Sequence, residues 1–369
     1  MADSYTEVTK KSWGSNILDS MGGLLIGIVI FLLSFWVLWA NEGTIDLSKI
    51  ARTSLPVSLT QIDPAAEGKL VSVSGNMSTL ERVDDPLFLQ PGEYIKLLRK
   101  VEICAWQEKS KSQTKDKLGG GSETTTTYTY VKVWTADPKD SSKFKVPAGH
   151  ENPALPVHND IFVAGTAKLG LYTVDPRSMD LPAPAPIKLM TGQLREIEGQ
   201  TLAGNYVFKG NGKIKAPAIG DIRVSYMAVP NNVSVTVFGK QSGEQLIPYI
   251  YNGTKKVYLA VKGTRDEAIA TVASEHKARI WVMRIIGFLL MWGGLFLFLG
   301  PLNAILKVLP WLGTGGRWVA GIVTFPIALG LTLLTVIISM IAHNIWLLLG
   351  LIVVLGGLTY YSQKQKKKG

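Results

Sequence analysis

The chain has 369 residues, 47% of them hydrophobic and only 18% charged, with 39 basic against 28 acidic side chains for a net charge of +11. High hydropathy with so few charges excludes a disordered chain, and one cysteine excludes both an internal disulfide framework and a Cys/His zinc cluster. A basic balance points to nucleic acid or to an anionic membrane surface, depending on where the charges sit.

In chain order, residues 1–20 read as a cytoplasmic N-terminal segment, with Lys10 and Lys11 as its basic flank and Trp13 and Ile17 on one face of a short helix. Residues 20–41 then run for 22 positions without Asp, Glu, Lys or Arg. A membrane helix needs about 20 apolar residues to cross roughly 30 Å of hydrocarbon, so a first crossing is expected at 21–41. Leu38 fits poorly at the −3 position of a cleavable signal, whereas Trp36 and Trp39 suit an interfacial belt. Gly23 and Gly27 form a close-packing pair, used within one chain or between subunits.

Residues 42–263 carry mostly period-two patterning, the signature of strands. Val71 and Val73 alternate with Ser72 and Ser74; Val233, Val235 and Val237 alternate with Ser234 and Thr236. Asn211-Gly212, Pro230-Asn231-Asn232, Ser242-Gly243 and Asn252-Gly253 punctuate these runs as turns. A β-rich, mainly antiparallel domain follows, placed on the exoplasmic side. Residues 108–127 are polar and glycine-rich, and read as a flexible hairpin loop closing strands at 95–107 and 124–134.

Thr264 and Glu267 have capping-box spacing, so residues 264–284 are expected as an amphipathic interfacial helix with Lys277, Arg279 and Arg284 near headgroups. Residues 285–306 and 318–363 are again uncharged, the second long enough for two crossings. Helices are expected at 285–306, 318–341 and 345–361, with a cytoplasmic loop at 307–317 and a turn at Ala342-His343-Asn344. The tail at 362–369, with Lys364, Lys366, Lys367 and Lys368, is the strongest cytoplasmic signal. The fold class is therefore an integral membrane α-helical protein of four transmembrane helices, with a large β-rich (α+β) exoplasmic domain between helices 1 and 2.

Chemistry-bearing patterns are sparse. His150, Glu151, His158 and Asp160 lie within eleven residues, but Pro147, Pro153 and Pro156 break any helix that would align them and no zinc spacing results. The simpler reading is a proline-rich turn in which His150 or Asn152 bonds backbone. Gly313-Thr314-Gly315-Gly316 lacks the Lys-Ser pair of a phosphate loop and reads as a turn. Cys104 sits in a strand-like run as a small buried hydrophobe. No ionisable group lies at mid-membrane depth, where a transport path would place one.

Several runs resemble, in order, the transmembrane protein 43 family, also called LUMA. They are Asn41-Glu42-Gly43, Glu67-Gly68-Lys69-Leu70-Val71, Asp85-Pro86, Arg99-Lys100-Val101-Glu102 and Gly149-His150-Glu151-Asn152-Pro153. The most specific are Gly220-Asp221-Ile222-Arg223-Val224-Ser225 and Gln241-Ser242-Gly243-Glu244-Gln245-Leu246-Ile247-Pro248. The resemblance implies a multi-pass membrane protein with both termini cytosolic and the loop luminal or periplasmic. It carries no catalytic residues. Animal members of that family sit in the endoplasmic reticulum and inner nuclear membrane, self-associate and are thought to organise membrane complexes.

The expectation is a prokaryotic member in a bacterial cytoplasmic membrane, or in the endoplasmic reticulum and nuclear envelope if eukaryotic. It is expected to be a non-enzymatic, self-associating scaffold without cofactor or metal. Its partners are the bilayer, further copies of itself and other membrane or periplasmic proteins, not nucleic acid. The alternative is an oligomeric channel or transporter subunit capped by the β domain.

Overall fold

The computed structural model describes residues 3–196, 199–306 and 310–366. The chain forms two compact units: Met1–Thr6, Asp46–Lys111 and Thr127–Ser274 in one, Glu7–Ile45, Ser112–Thr126 and Glu275–Gly369 in the other.

The first unit is β-rich and is built on an eight-stranded and a seven-stranded sheet. In the seven-stranded sheet Val233–Ser242 lies antiparallel to Leu70–Ser78, with Val237 opposite Val73. Val71, Val73, Val235 and Val237 are fully buried, each stabilising by about 1.5–3 kcal/mol through removal from water. The alternation predicts a wet reverse face, yet Ser72 and Thr236 are buried as well. Helix α2 (Leu47–Arg52) and the first turns of a long helix, Arg265–Phe298, cover that face through Ile50, Ala51, Ala268, Ile269 and Val272. The Glu267 half of the expected capping box is seen, its carboxylate accepting from the Thr264 amide at 2.8 Å and hydroxyl at 2.9 Å.

The eight-stranded sheet centres on Tyr94–Asp116, antiparallel to Ile222–Pro230 with Leu98 opposite Met227. The chain changes sheets at Asn231-Asn232. Asn232 takes a left-handed φ of 58°, and Asn231 bonds both backbone groups of Thr79, at 2.8 and 2.9 Å.

Residues 108–116 and 122–127 are strand rather than loop. The strand Tyr94–Asp116 runs for 23 residues and returns as Ser122–Thr135. Beyond Gln107 hydroxyl rungs replace apolar alternation: Ser112 with Thr126 at 2.8 Å and Thr114 with Thr124 at 2.9 Å. Asp3–Lys11, where a cytoplasmic segment is expected, is a third strand beside Ser122–Thr135.

The second unit holds the apolar helices. Helix α1 covers Trp13–Glu42, α3 is the long helix Arg265–Phe298, and α4 (Gly300–Leu306), α5 (Pro310–Ala342) and α6 (Ile345–Lys366) follow. Among the described residues three stretches are long and apolar enough to cross a bilayer: Trp13–Arg52, Arg265–Leu302 and Ala320–Ala342. The fourth expected crossing corresponds to a shorter apolar helix, Trp346–Gly357. The division expected between an interfacial helix at 264–284 and a crossing at 285–306 is not drawn, because α3 is continuous. Residues 307–309 of the expected loop lie outside the described residues, and the Gly313–Gly316 run belongs to α5.

Helices α1 and α3 pack through glycine. A Cβ on Gly27 would lie 2.9 Å from the Gly294 carbonyl, and one on Gly294 would lie 2.7 Å from the Phe31 amide. Gly27 therefore serves packing within the chain. Gly23 is less confined, since a Cβ there would lie 4.0 Å from Leu297.

Candidate functional site: the polar signature residues

The polar residues singled out in the sequence do not meet at one centre. They form separate knots, each closed by internal hydrogen bonds.

Asp85 is fully buried. One carboxylate oxygen accepts from Arg99 Nη1 at 2.6 Å and the other from the Tyr226 hydroxyl at 2.6 Å. Arg99 also donates Nε to the His158 carbonyl at 3.1 Å, lies 3.5 Å from Asp160, and sits over the rings of Phe88 and Phe162. Burial pushes the Tyr226 hydroxyl well above the usual phenol range, and the bond to Asp85 adds to it. A carboxylate this deep needs a fixed cation, and Arg99 supplies it.

The Gly149–Pro153 run makes the second knot. Gly149 adopts a φ of 80°. His150 is buried, with Nδ1 3.0 Å from the Val146 carbonyl and its ring stacked on Tyr130 at 3.9 Å and edge-on to Trp106. Asn152 mimics a strand neighbour: its Oδ1 accepts from the Trp106 amide at 2.7 Å and its Nδ2 donates to the Trp106 carbonyl at 2.9 Å. Pro153 lies beside Gly220, which has a φ of 93°. The proline-rich turn is thus built as the sequence reading has it. Among the described residues no group of three or more His, Cys, Asp or Glu is placed to hold a metal.

Asp221 is the third knot. Its carboxylate accepts from the amides of Asn211, Gly212 and Ala218 at 2.9, 3.1 and 2.7 Å, and a Cβ on Gly212 would lie 2.5 Å from it. Arg223 donates Nε to Glu102 at 2.8 Å and is sandwiched between Trp134 and Tyr206. Burial alone would raise the Glu102 pKa, but the Arg223 hydrogen bond and charge, with Lys100, outweigh it and hold the carboxyl below its usual range. Val224 is fully buried in the core. Cys104 is buried too, and that burial pushes its thiol pKa up, which keeps it protonated and inert.

Gln241 is the fourth, fully buried, accepting from the Tyr172 hydroxyl at 3.2 Å and donating to the Asp63 carbonyl at 2.7 Å. Gly243 turns with a φ of 56°, and its amide donates to Glu67 at 2.9 Å. Pro248 separates the short strands Gln245–Ile247 and Tyr249–Tyr251.

The fifth knot ties the membrane helices. Asn41 donates to the Ile280 carbonyl at 3.2 Å, and Glu42 takes both Nε and Nη2 of Arg284 at 2.8 Å. Glu42 and Arg284 are thus a bidentate pair across α1 and α3. Gly43 leaves room for His343, whose Nε2 would lie 2.6 Å from a Cβ there. The His343 ring packs on Trp39, and Ser339 donates its hydroxyl to the Trp39 carbonyl at 3.2 Å. Arg284 therefore belongs to a helix clamp, whereas Lys277 and Arg279 are exposed, as are Trp36 and Trp39 in part. The side chains of Lys364 and Lys366 lie outside the described residues, as do Lys367 and Lys368 entirely.

The pairing of Glu42 with Arg284 and of Asp85 with Tyr226 is invisible in the sequence, since the partners lie 242 and 141 residues apart. The available signal is a charge abutting an uncharged span at Glu42 and again at Arg284.

A family model described as Transmembrane protein 43 matches residues 103–345. The chain belongs to the transmembrane protein 43 family. The Transmembrane protein 43 of Rattus norvegicus is 27% identical over 340 residues, covering 86% of this chain and 84% of that protein. The human protein is 26% identical over 353 residues, covering 90% and 87%. A homolog from Drosophila melanogaster is 25% identical over 288 residues, covering 73% and 74%. No solved structure matches. The transmembrane protein 43 match takes in all five knots at least in part, and the region before residue 103 contributes Asn41, Glu42, Asp63, Asp85, Arg99 and Glu102 among others to them.

Proposed function

We propose that this protein is a membrane scaffold of the transmembrane protein 43 family that associates with copies of itself and organises other membrane proteins through its β-rich domain. The observation that carries the reading is the saturation of the signature polar residues. Asp85, Arg99, Asn152, Asp221, Gln241 and Glu42 each spend their hydrogen-bonding groups on the chain's own backbone and side chains. Residues used in this way preserve a shape rather than turn over a substrate.

Among the described residues Gln200–Ala203 is the last strand at one end of the eight-stranded sheet. Such an edge offers unpaired backbone groups for subunit pairing. The proposed setting is a bacterial cytoplasmic membrane, with the Lys-rich tail on the cytoplasmic side and the β domain periplasmic. Two differently tagged copies expressed together test the reading. Co-purification in mild detergent is the expected result, and complete separation at all protein concentrations contradicts it.

A second reading, an oligomeric channel subunit, draws on one observation: the unit that holds the apolar helices also holds the polar hairpin segment Ser112–Thr126. Ion flux in liposomes distinguishes the two.

A further inference from the structure

The tip of the polar hairpin is fastened to the start of the first membrane helix. Asn16, in the first turn of α1, donates its amide to the Gly120 carbonyl at 3.0 Å and accepts from the Ser122 hydroxyl at 3.2 Å. Gly120 has a φ of 79°, and a Cβ there would collide with the Trp13 indole. Gly120 and Ser122 are buried by this contact although both lie at the end of a polar hairpin. Lys117 and Glu123 close the tip with an ion pair at 2.5 Å, and Lys11, just before α1, bonds Asp19 at 2.6 Å. The contact joins backbone, side-chain amide, hydroxyl and indole, so it fixes where the tip lies along α1.

That position has a topological consequence. Helix α1 has 30 residues and is about 45 Å long at 1.5 Å per residue. Asn41, at its other end, bonds Ile280. The chain leaves α1 at that end through Ile45 and reaches the opposite end at Lys117–Ser122. Whatever joins them travels the length of a helix that is itself long enough to cross the hydrocarbon. The final stretch is the strand Tyr94–Asp116, and residues 108–117 contain no apolar side chain. About ten residues of strand span roughly 33 Å, the thickness of a hydrocarbon core. Polar strands with open edges do not survive against lipid.

We infer that the hairpin tip lies on the membrane side of the N-terminal end of α1, and that the polar strands leading to it pass the bilayer level in contact with water rather than lipid. The inference does not depend on the scaffold reading, since it concerns where one segment lies.

Single cysteines read the position directly, with impermeant maleimide applied to sealed vesicles of each orientation. Native Cys104 is buried, so the parent protein gives the background. Leu118→Cys probes the tip, where the side chain is 88% exposed. Gly14→Cys has open space and marks the start of α1, and Ile45→Cys marks its far side. Leu118→Cys is expected to label together with Gly14→Cys and from the side opposite Ile45→Cys. Labelling together with Ile45→Cys overturns the inference, as does labelling of all three from one side. The pair Asn16→Cys and Ser122→Cys is an independent check. An intrachain disulfide, seen as a band shift reversed by reductant, is expected, and its absence under oxidising conditions overturns the contact.

Discussion

At the residue scale the buried charges dominate. Asp85 is held by Arg99 and Tyr226, and removing one partner of a buried pair strands the other. Arg99→Met is predicted to destabilise the protein by about 3–5 kcal/mol, and Tyr226→Phe by about 1–2 kcal/mol, both measured by thermal or denaturant unfolding in detergent. The Glu42 and Arg284 pair yields a sharper test. Glu42→Gln or Arg284→Leu alone leaves a half-buried charge, while the double variant removes both. The double variant is predicted to be less damaging than the sum of the singles, with a coupling of about 0.5–3 kcal/mol, read from the same melts. Acidification supplies a third test. Glu102 has its folded-state pKa lowered chiefly by Arg223 against the opposing effect of burial. A lowered carboxyl pKa adds stability that is present above the unfolded-state value and lost as pH falls through the folded-state value. Melting temperature is predicted to fall as pH drops below the usual carboxylate range, with a shallower decline in Glu102→Gln. An unchanged pH profile in that variant contradicts the assignment.

Among elements, the glycine contact between α1 and α3 carries the clearest prediction. Gly294→Leu would drive a side chain into the backbone of α1 near Phe31, and overpacking of this kind costs about 1–3 kcal/mol or separates the helices. Proteolysis of the detergent-solubilised variant, faster than that of the parent, is the expected result. The elements also show what the sequence could reveal. Uncharged runs locate the apolar helices because the hydrocarbon core tolerates so few charges, and Val71, Val73, Val235 and Val237 locate their strands because one face must be dry. The hairpin beyond Gln107 escaped that logic, since its strands are held by Ser and Thr rungs with no apolar face to alternate. Helix α3 looked divisible because its charges stop at Arg284, yet helical hydrogen bonding is indifferent to that change of solvent. Ser72 and Thr236 looked wet because a strand's own period cannot show that α2 and α3 cover the second face. Knots such as Asn152 with Trp106 were beyond reach, since side chains 46 residues apart meet only once the sheets have formed.

For the whole molecule, the separation into a β-rich unit and a unit of apolar helices accounts for the opening composition. The charge content is low because long stretches carry no charge at all, while the remainder is charged like an ordinary soluble protein. The buried polar residues act within this division as fasteners, and the function proposed for the chain rests on the surface they hold in place. Self-association is its central claim. The most direct measurement is the particle mass of the intact protein in lipid nanodiscs, counted across a range of protein concentrations. A discrete species at a small whole-number multiple of the 40.2 kDa chain, shifted toward single chains by Thr201→Pro on the open edge strand, is the predicted result. A single chain of 40.2 kDa at every concentration would contradict it.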